Sequence, residues 1–271
     1  MKSNEPVSHH FVPQFILENF RDENDEIHSF NKIFWKMNKP TKSTKYILSE
    51  NHLHTLIHGT NEFYEIETFY SSLEDNFSRV LKSIKEAIQQ GEDIRGLSGS
   101  LEIVKIIGFF VSLSFWRLPS ASIQARSARK NLRKIYDNAG DENKKILGRD
   151  RKFIRDLERM GGNVSEKICQ FVAIPALTAN LEHSNLSKIW FHETDFDLVI
   201  SDRPVVCKTN ENFKLNGAFY MPITPRLCLT NQPESIRDFN IQIFLNAEKI
   251  AIGCSQNALE KSASDCQAIS S

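Results

Sequence analysis

The sequence predicts an α+β fold: a helix-rich single domain with a small N-terminal β element and a C-terminal antiparallel or mixed sheet. Two patterns carry that expectation. From Asn61 to about residue 184, apolar residues recur at helical spacing. On either side of that block, short stretches alternate apolar and polar residues with period two. A third observation narrows the class: only 11 glycines occur in 271 residues, with no glycine-rich phosphate loop and no internal repeat, which argues against a dinucleotide fold. One domain over 1–255 is expected, with β structure in 1–60, helices in 61–184, and strands plus a final helix in 186–255. Residues 256–271, rich in Ser and Ala, read as a flexible tail.

The elements follow in order. Pro13 suits a first helical turn, where its missing N–H would be unpaired anyway. Phe15, Ile16, Leu17 and Phe20 then form an apolar face to about residue 21, and DENDE (22–26) makes a turn. EIHSFNKI (26–33) alternates like a strand, WKMNKPTKST reads as a polar loop or hairpin end, and YILSENHLHTLI (46–57) as a second extended stretch. Phe63, Ile66, Tyr70, Phe77, Leu81 and Ile84 belong to one helix that Gly91 ends. The run from 98 to 117 is a core helix stopped before Pro119. Charged helices are expected over 120–138 and 142–160, and a helix kinked at Pro175 over 165–183. SKIWFHE, FDLVISD, AFYMPIT and RLCLTNQ read as strands, and 240–254 as the last helix.

Composition excludes some functions. Lys+Arg 34 equals Asp+Glu 34, so nucleic acid would have to meet a local basic patch, not a global field. Cys169, Cys207, Cys228, Cys254 and Cys266 form an odd set without a C-x-x-C pair, and read as reduced and structural. With no secretory signal, they point to the cytoplasm. IVKIIGFFVSLSFW (103–116) contains Lys105 and is shorter than the roughly 20 residues of a membrane span, so no membrane role is expected.

Four stretches set polar groups against apolar runs. His9-His10 precedes the first helix, where an imidazole serves as base, metal ligand or buried hydrogen-bond partner. Glu67 and Glu74 lie seven apart on nearly one helix face, placed to ligate a divalent cation or orient a histidine, or simply solvated. Arg117 ends the most apolar segment and should find a carboxylate or a phosphate. Ser201-Asp202 sits at a strand end before Pro204, a place for ligand carboxylates and equally for turns. His52, His54 and His58 give a weaker zinc pattern with no cysteine nearby.

In this order the stretches resemble a family common in bacteria, catalogued as domain of unknown function 4238. HHFVPQFILENF resembles its H-H-x-V-P-x-x-x-L-x-x-F opening, and NEFYEIE followed by SSLED its F-Y…E…I-E helix. FWRLP resembles its helix ending in R-T-P, ISDRPVV its S-D-x-P-V strand end, and MPITP its P-L-S-P strand. The likeness runs from residue 9 to about 255, with Leu118 and Ile223-Thr224 departing from the usual residues. It carries no established activity. It implies that His9, His10, Glu67, Glu74, Arg117, Ser201 and Asp202 meet in one place, and it does not include the His52/His54/His58 pattern.

Two functions are then expected to compete. One is a metal-dependent phosphodiesterase or nuclease, an effector of a toxin–antitoxin or phage-defence system. In it His10 is the base, His10, Glu67, Glu74 and Asp202 hold Mg²⁺ or Mn²⁺, and Arg117 meets the phosphate. Arg126, Arg129, Lys130, Arg133 and Lys134 would track the nucleic-acid backbone. The other is a non-catalytic sensor or binding module, in which the same groups form a buried network that fixes the fold. Neither the oligomeric state nor the partner protein is legible.

Overall fold

The computed structural model describes residues 7–93, 101–181, 189–210, 213–232 and 238–270. Strand β1 (Ser8–His10) leads into the short helix α1 (Gln14–Glu18), with Pro13 just outside its first turn. Strands β2 (His28–Asn31) and β3 (Lys36–Met37) form a hairpin. The extended stretch expected over 46–57 is instead two strands, β4 (Ser49–Asn51) and β5 (Leu56–His58). The break falls at His52, whose φ of 55° is left-handed and turns the chain. Strand β6 (Asn61–Phe63) pairs with β5, so helix begins only at α2 (Glu65–Gln89).

Helix α2 buries Ile66, Tyr70, Phe77, Leu81 and Ile84, a stripe at helical spacing, and Gly91 ends it at φ 76°. Helix α3 (Leu101–Trp116) packs against it, with Phe77 and Phe110 stacked 3.9 Å apart. The two long charged helices are broken into α4 (Ser122–Arg129), α5 (Leu132–Asp137), α6 (Asp141–Ile146) and α7 (Arg151–Arg159). Helix α4 turns Ala125 and Ala128, α5 Leu132 and Ile135, and α7 Ile154 and Leu157 onto one core around Trp116. Helix α8 (Asn163–Ile168) passes through a widened turn, Cys169–Ala173, into α9 (Ile174–Thr178). The irregularity thus falls ahead of Pro175, whose missing N–H frees a carbonyl in the preceding turn. The helix ends at Thr178, short of the expected 183; residues 179–181 are not helical, and 182–183 lie outside the described residues.

Strands β7 (Trp190–Glu193), β8 (Val199–Ser201), β9 (Val206–Thr209), β10 (Leu215–Thr224) and β11 (Leu227–Thr230) follow. They build an antiparallel sheet β7-β11-β10-β9; β9 had no sequence expectation. Residues 240–254 are not one helix: α10 (Phe239–Asn246) is followed by strand β12 (Ile250–Gly253). This strand sits between β2 and β8 in a second antiparallel sheet, β3-β2-β12-β8, which joins the N-terminal hairpin to the C-terminal strands. The expected flexible tail is helix α11 (Gln256–Ser270), which buries Leu259, Ala263 and Cys266 against Phe239 and Phe244. No disulfide joins any of the five cysteines. The molecule is a mixed α+β single domain, as the periodicities predict. Among the described residues no single helix is long and apolar enough to cross a membrane.

Candidate functional site

Successive residues of a strand face opposite ways. In β1, paired with β4 as His9↔Glu50 and His10↔Ser49, this sends His9 fully inward and leaves His10 half-buried. His10 Nε2 bonds the Thr44 carbonyl at 2.9 Å, so its ring serves the loop after β3 and not the interior. His9 Nδ1 accepts the His54 backbone N–H at 2.9 Å, which leaves the His9 proton on Nε2. The two rings stack at 5.3 Å.

His54 is the residue that sequence reasoning left out of the site. It is fully buried in the turn between β4 and β5, and its Nδ1 meets Glu67 Oε2 at 2.6 Å. Glu67 stands in the first turn of α2. An ionised carboxylate only accepts, so the hydrogen lies on Nδ1 and Nε2 presents a bare lone pair. That Nε2 is buried without a hydrogen-bond partner. Burial holds the His54 pKa down at about 4, helped by the Arg117 charge, although Glu67 pulls the other way. Burial would raise Glu67, but the His54 N–H and the nearby charges of His54, His9 and Arg117 bring it below the usual carboxylate value. One ligand atom from each of His9, His54 and Glu67 lies within 4.8 Å of the others.

A second tier supports this group. Arg117, 3% exposed, pairs through Nη1 with Glu74 Oε1 at 2.5 Å and donates through Nη2 to the His10 carbonyl. Its guanidinium lies over the Tyr70 ring at 4.8 Å. Tyr70 donates its hydroxyl to Phe171 O at 2.8 Å, inside the widened turn, and both rings set their faces against the edge of His54 or the reverse, at 4.7 and 4.9 Å. Lys167 Nζ clamps the 52–55 turn through His52 O (2.6 Å) and Thr55 O (2.9 Å).

Five of the seven expected residues, His9, His10, Glu67, Glu74 and Arg117, are therefore joined by bonds through His54, Tyr70 and the β1 backbone. The other two belong elsewhere. Ser201 Oγ bonds within its own turn, to Arg203 N and O. Asp202 accepts three backbone N–H groups, from Glu248 (2.8 Å), Lys249 (2.7 Å) and Ile250 (3.2 Å), and so fastens the entry to β12. The expected ligand set His10, Glu67, Glu74 and Asp202 is not brought together: His10 faces Thr44, Glu74 faces Arg117, and Asp202 faces amides. A cleft of about 290 Å³ opens beside Asp202, lined also by Phe11, Tyr46, Glu50, Ser120 and Lys249, and none of the five bonded residues lines it. Of the basic strip on α4 and α5, Arg129 bonds Leu157 O and approaches Glu166, and Arg133 pairs with Glu158. Arg126, Lys130 and Lys134 are exposed.

An α+β domain with a buried imidazole–carboxylate group beneath its opening strand is the class these observations define. The chain belongs to the family described as protein of unknown function (DUF4238), whose model matches residues 8–256. No curated protein and no solved structure matches it.

Proposed function

We propose that the chain is a metal-dependent phosphodiesterase, a cytoplasmic nuclease serving as effector of a toxin or phage-defence system. The observation that carries the proposal is the convergence of His9, His54 and Glu67, with the buried His54 Nε2 lone pair unused. Two imidazoles and one carboxylate are the donor set of hydrolytic metal sites that keep a coordination position open for water. His54 would offer its unused Nε2, whereas His9 would have to release the His54 N–H to offer Nδ1. In a filled tetrahedral site ligand atoms sit about 3.3 Å apart, so the widest spacing, at most 4.8 Å, would have to close. The imidazoles favour Zn²⁺ or Mn²⁺ over Mg²⁺. A cation there would polarise a phosphoryl oxygen and acidify water. The residues themselves hold the group ready: burial and the Arg117 charge keep His54 neutral, and Lys167 fixes the turn that carries it. Arg117 is occupied by Glu74 and the His10 carbonyl, so its part is to position and not to grip phosphate. Five cysteines without a disulfide among them suit a reducing compartment.

The second reading, a module whose polar network braces the fold, is favoured by the three amides that satisfy Asp202 and by the hold of Glu74 and the His10 carbonyl on Arg117. The two separate in one experiment. Purified protein is assayed for bound metal and for cleavage of labelled RNA, single-stranded DNA and duplex DNA with EDTA, Mg²⁺, Mn²⁺ or Zn²⁺. His54→Ala and Glu67→Gln run alongside. Metal uptake and cleavage lost together in folded variants support the hydrolase. Intact substrates in every lane, with both variants melting early, support the brace.

A further inference from the structure

The β2–β3 hairpin and the loop after it hold one of the long one-signed stretches in an otherwise neutral chain. Lysines stand at 32, 36, 39, 42 and 45, and no Asp or Glu occurs from Ile27 to Ser49. Lys36, Lys39, Lys42 and Lys45 are exposed, while Lys32 is taken up by the carbonyls at the end of α10. Two aromatic rings stand out among them: Phe34 is 70% and Tyr46 72% exposed. Each carries a lysine, with Lys36 Nζ 5.7 Å from the Phe34 centroid and Lys45 Nζ 5.2 Å from that of Tyr46.

The display is held in place. Asn31 Oδ1 accepts the N–H groups of both Ile33 and Phe34, at 3.0 and 3.1 Å. Trp35 adopts a left-handed φ of 49°, unfavourable for a bulky side chain, and sets its ring edge-to-face with Phe30 and Phe244. The strained residue anchors inward, and Phe34 points out. The loop then runs straight to the candidate site. Thr44 is buried, its carbonyl takes the His10 ring and its hydroxyl links Gln14 to Glu18. Tyr46, two residues on, lines the cleft shared with Phe11 and Asp202.

We propose that Phe34 and the loop Lys36–Tyr46 bind single-stranded nucleic acid. Bases stack on Phe34 and Tyr46, and phosphates meet the four exposed lysines. This rests on the phosphodiesterase reading only for the direction of the strand, toward the cleft. Regularly spaced cations bracketed by two exposed aromatic rings suit an unpaired strand, because a duplex hides its base faces. An anionic bilayer is the weaker fit: Trp35, the best interfacial anchor in the hairpin, sets its ring against Phe30 and Phe244 and keeps only 38% of its surface exposed. The acidic turn 22–26 lies beside Lys42, whose carbonyl shares the Arg21 guanidinium with Asp25, and Arg21 and His28 already engage its carboxylates.

The test measures binding without turnover. Fluorescence anisotropy is recorded in EDTA with labelled oligo(dT) and oligo(U) and with a duplex of equal length, across a salt series. Single strands should bind more tightly than the duplex. With four lysine–phosphate contacts, log K should fall with log salt at a slope of about −3, and each Lys→Gln should reduce that slope by about 0.7. Phe34→Ser and Tyr46→Ser should each weaken binding about fivefold or more at unchanged slope. Melting curves identify any variant that fails to fold, and Lys39→Gln, on an exposed loop, gives a readout independent of the aromatic pair. Absence of binding overturns the inference. So does binding that survives these changes but is lost in an Arg126→Gln/Lys130→Gln/Lys134→Gln variant, or attachment to phosphatidylserine vesicles with none to oligonucleotide. Binding in EDTA without cleavage in any metal sinks the phosphodiesterase reading and leaves this one standing. Cleavage that the loop variants do not slow does the reverse.

Discussion

Asp202→Asn changes one atom at the point where β8 is tied to β12, and its effect follows from the bonds in place. The carboxylate is 8% exposed and accepts three backbone N–H groups, one on Oδ1 and two on Oδ2. The best placement of an asparagine keeps its oxygen on Lys249 and Ile250. Its amide then faces the Glu248 N–H, donor against donor. A hydrogen bond to a charged group is worth about 1.5–3 kcal/mol, and the two survivors lose their charge assistance. The expected loss is about 3 kcal/mol for Asn and about 4 kcal/mol for Asp202→Ala, which orphans all three donors. Urea denaturation near neutral pH reads this as a lower midpoint at unchanged slope. Metal uptake by His9, His54 and Glu67 should not change in the same sample. An Asp202→Asn protein of full stability that no longer binds metal or cleaves substrate would refute the reasoning and put Asp202 in the chemistry.

Arg117→Met should destabilise by about 3 kcal/mol, because it strands Glu74 and the His10 carbonyl, and adding Glu74→Leu should recover part of that loss in the same denaturation assay. Leu259→Ala, at a fully buried position in α11, should lose about 2–4 kcal/mol; a tail without structure would lose nothing. In chelator, His54 makes stability depend on pH. Its folded pKa of about 4 lies below the unfolded value, so the unfolded chain binds the proton first. The contribution is whole above about pH 6.5 and is lost as pH falls toward 4, reaching about 2 kcal/mol by pH 5. Denaturation midpoints of wild type and His54→Gln across that window should converge in acid; parallel curves would mean the proton is taken up elsewhere.

The fold was most legible where a single periodicity acts over many residues. The stripe of α2 and its stop at Gly91 depend on local sequence alone. It was least legible where tertiary partners decide. Ile250–Gly253 carries apolar residues compatible with either period, and it is the strand places between β2 and β8 that make it extended. The Ser- and Ala-rich C-terminus looks too polar to fold, yet Leu259, Ala263 and Cys266 at helical spacing are enough once Phe239 and Phe244 offer a surface. His54 was hidden for a related reason. The spacing of His52, His54 and His58 suggests a shared strand face, but the left-handed His52 breaks the strand. It drops His54 inward alone, onto a histidine 45 residues away that the pattern does not contain.

The opening pair of histidines shows why proximity in sequence misleads about a site. Two neighbours on one strand cannot share a pocket, because the pleat turns them to opposite faces. His9 goes into the core and takes the backbone N–H of His54, which brings a second imidazole and Glu67 with it. His10 goes the other way and holds Thr44, in the middle of the lysine-bearing loop. One short strand thus fixes a buried cluster of possible metal ligands on one face and the course of a basic loop on the other. The His10 carbonyl between them is clamped by Arg117. Any shift of β1 would therefore move the cluster and the loop together.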